Sequence, residues 1–321
     1  MGGERVIMVK QTIQKVHTQI LEIGESDLGL PAGLTLTAGP IIRNLDAAGV
    51  RLGSDNTAVR RSIRRGAVDT TELPDPTWLP SSEASLLSWH DASDATTITN
   101  SGDDVSALAD KSGNGYTFSE ATDTNQPHTG TRTINSLNVL DFNGTTHRLR
   151  NTSYPAAANS NLMVLLVANV DAVTNESNSL FRIGNTSRVN LRSVNGAGYF
   201  PNAEMFGTGN EAISYGTDLV TITTLYGLVL DFANTTNTLY TNGYSRATDA
   251  DGYETALDGA EFSLFNNQGS ANYFLDGMFA EMIVFNAVDT TVRQKAEGYL
   301  AHKWGLESLL DAGHPYKSEA P

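Results

Sequence analysis

The chain has 321 residues, enough for one large domain with a sizeable core plus a smaller element. It contains no cysteine, which excludes a disulfide scaffold, a thiolate metal site and a thiol nucleophile, and fits folding in a reducing cytoplasm. The formal net charge of −15 comes entirely from residues 76–321, with 12 Lys/Arg and 27 Asp/Glu; residues 1–75 hold nine of each, so attraction of the larger part to nucleic acid or an anionic membrane is disfavoured.

Only 18% of residues are charged, and Gly, Asn, Thr, Ser and Asp abound. That is the texture of short strands joined by turns. No apolar run approaches the roughly 18 residues of a bilayer-spanning helix. The longest, LMVLLVA at 162–168, suits a strand buried on both faces. The start, MGGERVIMVKQTIQK, has no apolar core or cleavage pattern, so no secretory signal is expected. The N-x-S/T sequons at Asn143, Asn151, Asn175, Asn185 and Asn234 are then a by-product of Asn and Thr richness.

In chain order, Val9, Ile13, Val16, Ile20 and Ile23 repeat at steps of 4, 3, 4 and 3, the seam of a coiled coil. All five are β-branched, which at both seam positions favours three or more helices. Two heptads are marginal alone and Val and Thr also suit strands, so an oligomeric helix and a docking strand both stay open. GESDLGLPAGLTLTAGPIIRN reads as an extended, turn-rich arm. GSDNTAVRRSIRRGA predicts a short helix, N-capped by Ser54 or Asp55 and ended by Gly66, with Arg60, Arg61, Arg64 and Arg65 in two pairs. Such a cluster is a solvated face or a docking surface for an acidic protein. DTTELPDPTWLP, at 69–80, is the expected linker.

From residue 84 the pattern is β. ASLLSWHDASD opens the domain, VSALADKSGNGYTFSEA holds a Gly-Asn-Gly turn, and SLNVLDFNGTTHRLR alternates towards a turn at Asn143-Gly144. LYGLVLDF and NTLYTNGYSR follow, and Asn242-Gly243 between strand formers is a strong hairpin signal. AEFSLFNN and YFLDGMFAEMIVFN supply two more strands. After Asn286 the period changes: Asp289 or Thr290 caps a helix with Val292, Ala296, Tyr299, Leu300 and Trp304 on its apolar face, and Gly305 ends it. The expected fold is a mainly β, antiparallel sandwich with a C-terminal helix behind an extended N-terminal arm. The expected division is 1–83, anchoring arm and linker, and 84–321, the sandwich.

The ordered set DKSGNGYTF, LNVLDFNGTTHRL, LVLDF with NTLYTNG, and LDGMFAEMIVFNAVDTTVRQKAEGYLAHKWG resembles the laminin-G/concanavalin A-like jelly-roll superfamily. The ending EGYLAHKWGL with GHPYK is similar to domains of tailed-bacteriophage virion proteins and of large bacterial surface proteins. The resemblance covers about 84–317. It implies a jelly roll whose last helix packs on the sandwich with its Trp and Tyr in the core, and a role in binding glycan or protein or in structure alone.

The E-x-D-x-x-E arrangement of glycosidases in the wider superfamily is missing, as are lyase signatures pairing Gln-x-His with Tyr. Asp276 and Glu281, at an odd spacing, are expected on opposite faces of a regular strand. A retaining glycosidase needs two carboxyls about 5 Å apart. The six histidines show no H-x-x-x-H or H-E-x-x-H spacing, and His302 and His314 read as structural. TDADGYE offers Asp249, Asp251 and Glu254 to calcium but reads as an acidic turn, and no metal or cofactor is expected. Tyr199, Phe200, Tyr215, Tyr253 and Tyr273 are sugar-stacking candidates that could equally be core.

The leading expectation is a non-enzymatic bacteriophage virion protein (a head fibre, decoration protein or tail fibre) assembled in the bacterial cytoplasm. Val9, Ile13, Val16, Ile20, Ile23, Arg60, Arg61, Arg64 and Arg65 would anchor it to other virion proteins, with a homo-oligomer expected and a trimer favoured. The alternative is a recognition module for host-surface glycan; a carbohydrate-active enzyme comes third. Neither nucleic acid nor membrane insertion is expected.

Overall fold

The computed structural model describes residues 21–22, 41–46, 49–52, 59–64 and 67–69, and residues 78–321 apart from 156–160, 175–176, 185–187, 196–197, 207–210, 250–260 and 268–272. The chain divides into two units, Met1–Pro76 and Thr77–Pro321. In the first, β1 (Leu21–Glu22), β2 (Ile41–Asp46), β3 (Gly49–Leu52), β4 (Val59–Arg64) and β5 (Ala67–Asp69) pair antiparallel in chain order.

Arg60, Arg61 and Arg64 therefore lie on a strand, which corrects the helix expected there. Val59 pairs with Leu52, Arg60 with Arg51 and Arg61 with Val50, while Ile63 and Arg64 pair with Val68 and Ala67. Neighbours on both edges satisfy the backbone groups across strands. That outweighs the local caps, because a helix of two or three turns is marginal alone. Arg65 and the seam positions Val9, Ile13, Val16, Ile20 and Ile23 lie outside the described residues.

The second unit continues with β6 (Leu86–Asp91), β7 (Ile98–Ser101), β8 (Asp104–Leu108), β9 (Phe118–Ser119), β10 (His128–Ile134), β11 (Leu137–Asn143) and β12 (Leu149–Asn151). Then come β13 (Leu162–Ala172), β14 (Ser179–Gly184), β15 (Arg188–Asn195), β16 (Gly198–Phe206), β17 (Glu211–Ser214), β18 (Thr224–Asp231), β19 (Thr236–Thr241), β20 (Tyr244–Asp249), β21 (Phe262–Leu264), β22 (Asp276–Phe285) and the helix α1 (Thr290–Trp304). All the ladders between these strands are antiparallel.

Two layers result, and the fold is an antiparallel jelly-roll β-sandwich with a C-terminal helix. One layer runs β20-β19-β18-β13-β22, and the far edge of β22 is shared by β11 at its start and β6 at its end. The other runs β17-β16-β15-β14-β21-β12-β9-β8-β7. Between them lies the larger core, with Leu166, Phe279 and Met282 from the first layer against Phe118, Phe181, Leu191 and Phe262 from the second.

A second core lies on the other side of the first layer, where α1 covers it. Met163, Leu165 and Val167 of β13 and Ile283 and Phe285 of β22 meet Val292, Ala296, Leu300 and Trp304. Strands β13 and β22 are thus buried on both faces, which explains runs such as LMVLLVA that do not alternate. Each such apolar side chain contributes roughly 1.5–3 kcal/mol when fully buried.

The ends of α1 follow their local chemistry. Asp289 accepts hydrogen bonds from the backbone N–H of Thr291 and Val292, and Gly305 closes the helix at φ 72°. The chain then folds back: Glu297, almost fully buried, accepts from Arg293 and contacts His314 at 3.1 Å, while His302 meets the Tyr316 carbonyl at 2.8 Å. His302 and His314 are structural, as expected. Asn242 (φ 51°) and Gly243 (φ 77°) form the two-residue turn of the β19–β20 hairpin, both in the left-handed region that this turn requires.

Candidate functional site

Two groups of polar side chains stand out, one on the outer face of the second layer and one beneath α1. The first comes from strand alternation. In β15 and β16, Val189, Leu191, Ala203 and Met205 point into the core, so Arg188, Asn190, Arg192, Asn202 and Glu204 belong to the opposite face. Register aligns them across strands. Arg150 is opposite Ser263, Ser263 opposite Arg182, Arg182 opposite Asn190, and Asn190 opposite Glu204. A second row places Arg192 opposite Asn202 and Asn202 opposite Ser214.

The amides form the floor. Asn190 is 1% and Asn202 2% exposed, walled by longer side chains: Arg192 pairs with Glu204, and Arg150 lies 3.6 Å from Glu261. Arg182 donates to Asn267 Oδ1 at 2.8 Å, and Asn202 donates to Ser214 Oγ at 2.6 Å. Among the described residues, the Oδ1 atoms of Asn190 and Asn202 and the Oε2 of Glu204 are buried and accept no hydrogen bond. Each such atom costs about 1–3 kcal/mol until a water or ligand donor meets it. Guanidinium, amide and carboxylate groups side by side can both donate to and accept from a hydroxyl-rich ligand.

Sequence reasoning missed this face. The signal was present in RVNLRSVN and PNAEM, where polar residues alternate with Val, Leu, Ala and Met, but only cross-strand register joins them into rows. The aromatic candidates lie elsewhere. Tyr199 is core; Tyr215 packs against the core beneath the Arg246 guanidinium, 4.7 Å from its ring centre; Tyr273 is half-buried. Tyr253, Asp251 and Glu254 lie outside the described residues, as does the Phe200 side chain. Among the described residues, no group of three or more His, Asp or Glu side chains is placed to hold a metal ion.

The second group centres on Glu281. Val167 pairs with Glu281 and Ala168 with Phe279, so Ala280 is an extra residue, a one-residue bulge. The bulge overturns the expectation that odd spacing puts Asp276 and Glu281 on opposite faces, which holds only for a regular strand. Glu281 turns to the helix side. Its Oε1 accepts from Trp89 Nε1 (2.6 Å) and Tyr299 Oη (3.0 Å), and its Oε2 from Trp304 Nε1 at 2.8 Å. Lys303 Nζ lies 2.7 Å from the same Oε2 and 2.8 Å from Asp91 Oδ2. Lys111 joins Asp91 at 3.0 Å and Asp94 at 2.7 Å. Burial, with the Asp91 charge beside it, pushes the Glu281 carboxyl up. Burial also pushes Asp91 up, but Lys303, Ser93 and Lys111 outweigh it and hold Asp91 below its ordinary value.

Asp276 belongs to a separate cluster. Arg132 bonds Asp141 and Asp171, and burial together with those two carboxylates raises Asp276. Asp276 and Glu281 thus sit among different partners.

No family model and no curated protein matches the chain. Among solved structures, domain 4 of AbnA, a GH43 extracellular arabinanase from Geobacillus stearothermophilus in complex with arabinotriose, is similar over 64% of this chain and 94% of that one, at 14% identity and a TM-score of 0.48. The binding domain of Paraclostridial Mosquitocidal Protein 1 is similar over 67% and 52%, at 10% identity and a TM-score of 0.48. The Ruminococcus gnavus IT-sialidase CBM40 bound to α2,3-sialyllactose is similar over 42% and 80%, at 18% identity and a TM-score of 0.34. At these scores the functional reading rests on this chain's own residues.

Proposed function

We propose that the Thr77–Pro321 unit is a non-catalytic recognition domain that binds a glycan on the outer face of its second layer. The observation that carries this reading is the pair of floor amides, Asn190 and Asn202, between Arg182, Arg192 and Glu204, whose buried oxygens lack donors among the described residues. In this reading the Arg192–Glu204 pair above the floor opens as the glycan docks; sugar hydroxyls then supply the missing donors and accept from the guanidinium and amide N–H groups around them.

The absence of catalysis is part of the proposal. Glu281 is held by Trp89, Tyr299, Trp304 and Lys303 beneath α1, away from any substrate, and Glu204 is paired with Arg192. The virion role is proposed with it: Met1–Pro76 holds the particle through Val9, Ile13, Val16, Ile20, Ile23, Arg60, Arg61, Arg64 and Arg65 and displays the sandwich. The division of the chain into two units supports that layout.

A glycan array probed with the full chain tests the recognition reading. Binding that is lost in Asn190→Ala/Asn202→Ala, with unchanged thermal unfolding, is the expected result. Failure to bind neutral or acidic glycans, or binding indifferent to the double substitution, removes it. Release of reducing ends from a bound glycan would overturn the non-catalytic assignment. Recovery in fixed stoichiometry from purified phage particles tests the virion role.

A further inference from the structure

We propose that Lys303 and Asp91 become joined by an intramolecular amide bond, formed by the protein itself with Glu281 relaying the protons. The cluster beneath α1 carries this inference, which is independent of the glycan reading.

The reacting groups already touch. Lys303 Nζ lies 2.8 Å from Asp91 Oδ2 and 2.7 Å from Glu281 Oε2. Asp91 and Glu281 are direct cross-strand partners. Two carboxylates so placed repel each other, and Lys303 sits between them. The Lys303, Asp91 and Glu281 side chains are 18%, 4% and 0% exposed, and Trp89, Tyr299 and Trp304 wall the site. Positioned in this way, an amine and a carboxyl react as one molecule with a high effective concentration.

The electrophile is prepared as well. Asp91 Oδ1 accepts from the Ser93 N–H at 3.0 Å and the Ser93 hydroxyl at 2.6 Å, and Oδ2 from Lys111 Nζ at 3.0 Å. Donors aimed at a carboxyl oxygen are what a tetrahedral oxyanion needs. Glu281 is the carboxyl that burial raises, which suits it to hold and pass a proton.

The step balances. The Lys303 ammonium gives a proton to Glu281, which passes it to Asp91 Oδ2, and the freed amine attacks Cγ of the carboxyl so neutralised. The oxyanion forms on Oδ1 against Ser93. The Cγ–Oδ2 bond then breaks, and Oδ2 departs as water. Of the three Nζ protons, one stays on the amide nitrogen and two leave with Oδ2 by way of Glu281. No oxidant, reductant or co-substrate takes part. Ammonium and carboxylate do not condense in bulk water, but here the product removes two charges from a dry site, where holding them is costly. The bond ties β6, the first strand of the sandwich, to α1, its closing helix, so α1 could not peel away before the whole domain opened.

Intact mass of the denatured full chain decides the matter. The parent is expected to be lighter than its sequence by one water, with a branched peptide joining residues 91 and 303 after digestion. Lys303→Arg, which keeps the charge but removes the nucleophile, should return the full mass, and Glu281→Gln should slow or stop the loss of water. An unmodified parent mass overturns the proposal. So does a water loss that persists in Lys303→Arg or maps elsewhere, such as to a succinimide at Asp276-Gly277. Should Lys303→Arg fail to fold, the parent mass and the branched peptide decide alone.

Discussion

Gly298 of α1 lies so close beneath Tyr316 that a Cβ at position 298 would meet the Tyr316 Cβ at 2.4 Å and its Cγ at 2.9 Å. Gly→Ala inside a helix ordinarily stabilises it by up to about 1 kcal/mol. Here the added methyl should drive the C-terminal tail off the helix, and Gly298→Ala should lower stability by roughly 1–3 kcal/mol, the usual cost of overpacking. Urea unfolding checks the sign: a raised midpoint would mean that Tyr316 does not pack there.

Trp304 is 1% exposed and donates to Glu281. Trp304→Ala should cost roughly 3–5 kcal/mol as a buried aromatic is truncated. Trp304→Phe keeps most of the apolar contact but takes a donor from a buried carboxyl, and should cost about 1–3 kcal/mol. An alanine variant that unfolds at the parent's midpoint would remove α1 from the core.

His90 is fully buried, with Nε2 2.8 Å from the Tyr116 carbonyl and its ring against Phe118. Burial lowers its pKa from 6.5 to about 4, against the opposing pull of Asp110. Between those values the unfolded chain binds a proton that the folded chain does not, so stability rises with pH across the window. His90 should contribute nothing to pH dependence above 6.5, and on the order of 3 kcal/mol should be lost progressively as pH falls to about 4. Denaturant titrations of the parent and of His90→Gln between those pH values should differ by about one proton in slope. Equal slopes would mean that the imidazole is solvated in the folded state.

Residues 77–321 expressed alone should be soluble, β-rich and monomeric, because Trp78, which donates to Glu83 and meets the Tyr299 ring edge-on, completes the cover of α1. The full chain should be oligomeric, most simply a trimer. Ile13→Asp with Ile20→Asp should abolish the oligomer by burying charge in a dry seam. Light scattering well above micromolar concentration tests this, and a monomeric full chain leaves the seam as a docking strand only. Reversing the charge of Arg60, Arg61, Arg64 and Arg65 should reduce incorporation into particles; normal incorporation would make the arginines a solvated strand.

Much of the sandwich is legible in short stretches. LMVLLVA reads as a doubly buried strand, Asn242-Gly243 as a hairpin turn, and Asp289 to Gly305 as a capped helix, because each depends on neighbours within a few residues. The site is less legible. Asn190 and Glu204 become neighbours only when β15 pairs with β16, and Arg182 joins them only through β14. No local period marks such a row.

By itself, then, the sequence determined the short-range features: the alternation of the strands, the hairpin turn, both ends of α1 and the apolar face that α1 must bury. Tertiary structure decided the rest, because its causes lie far apart in the chain. The local caps around Arg60 favour a helix, yet cross-strand partners on both edges make it a strand. The spacing of Asp276 and Glu281 counts residues, but the Ala280 bulge, set by how β22 packs against β13, turns Glu281 towards the helix. Lys303 reaches Asp91 only because α1 returns across the first layer, where burying Trp304 and Leu300 outweighs leaving them in water.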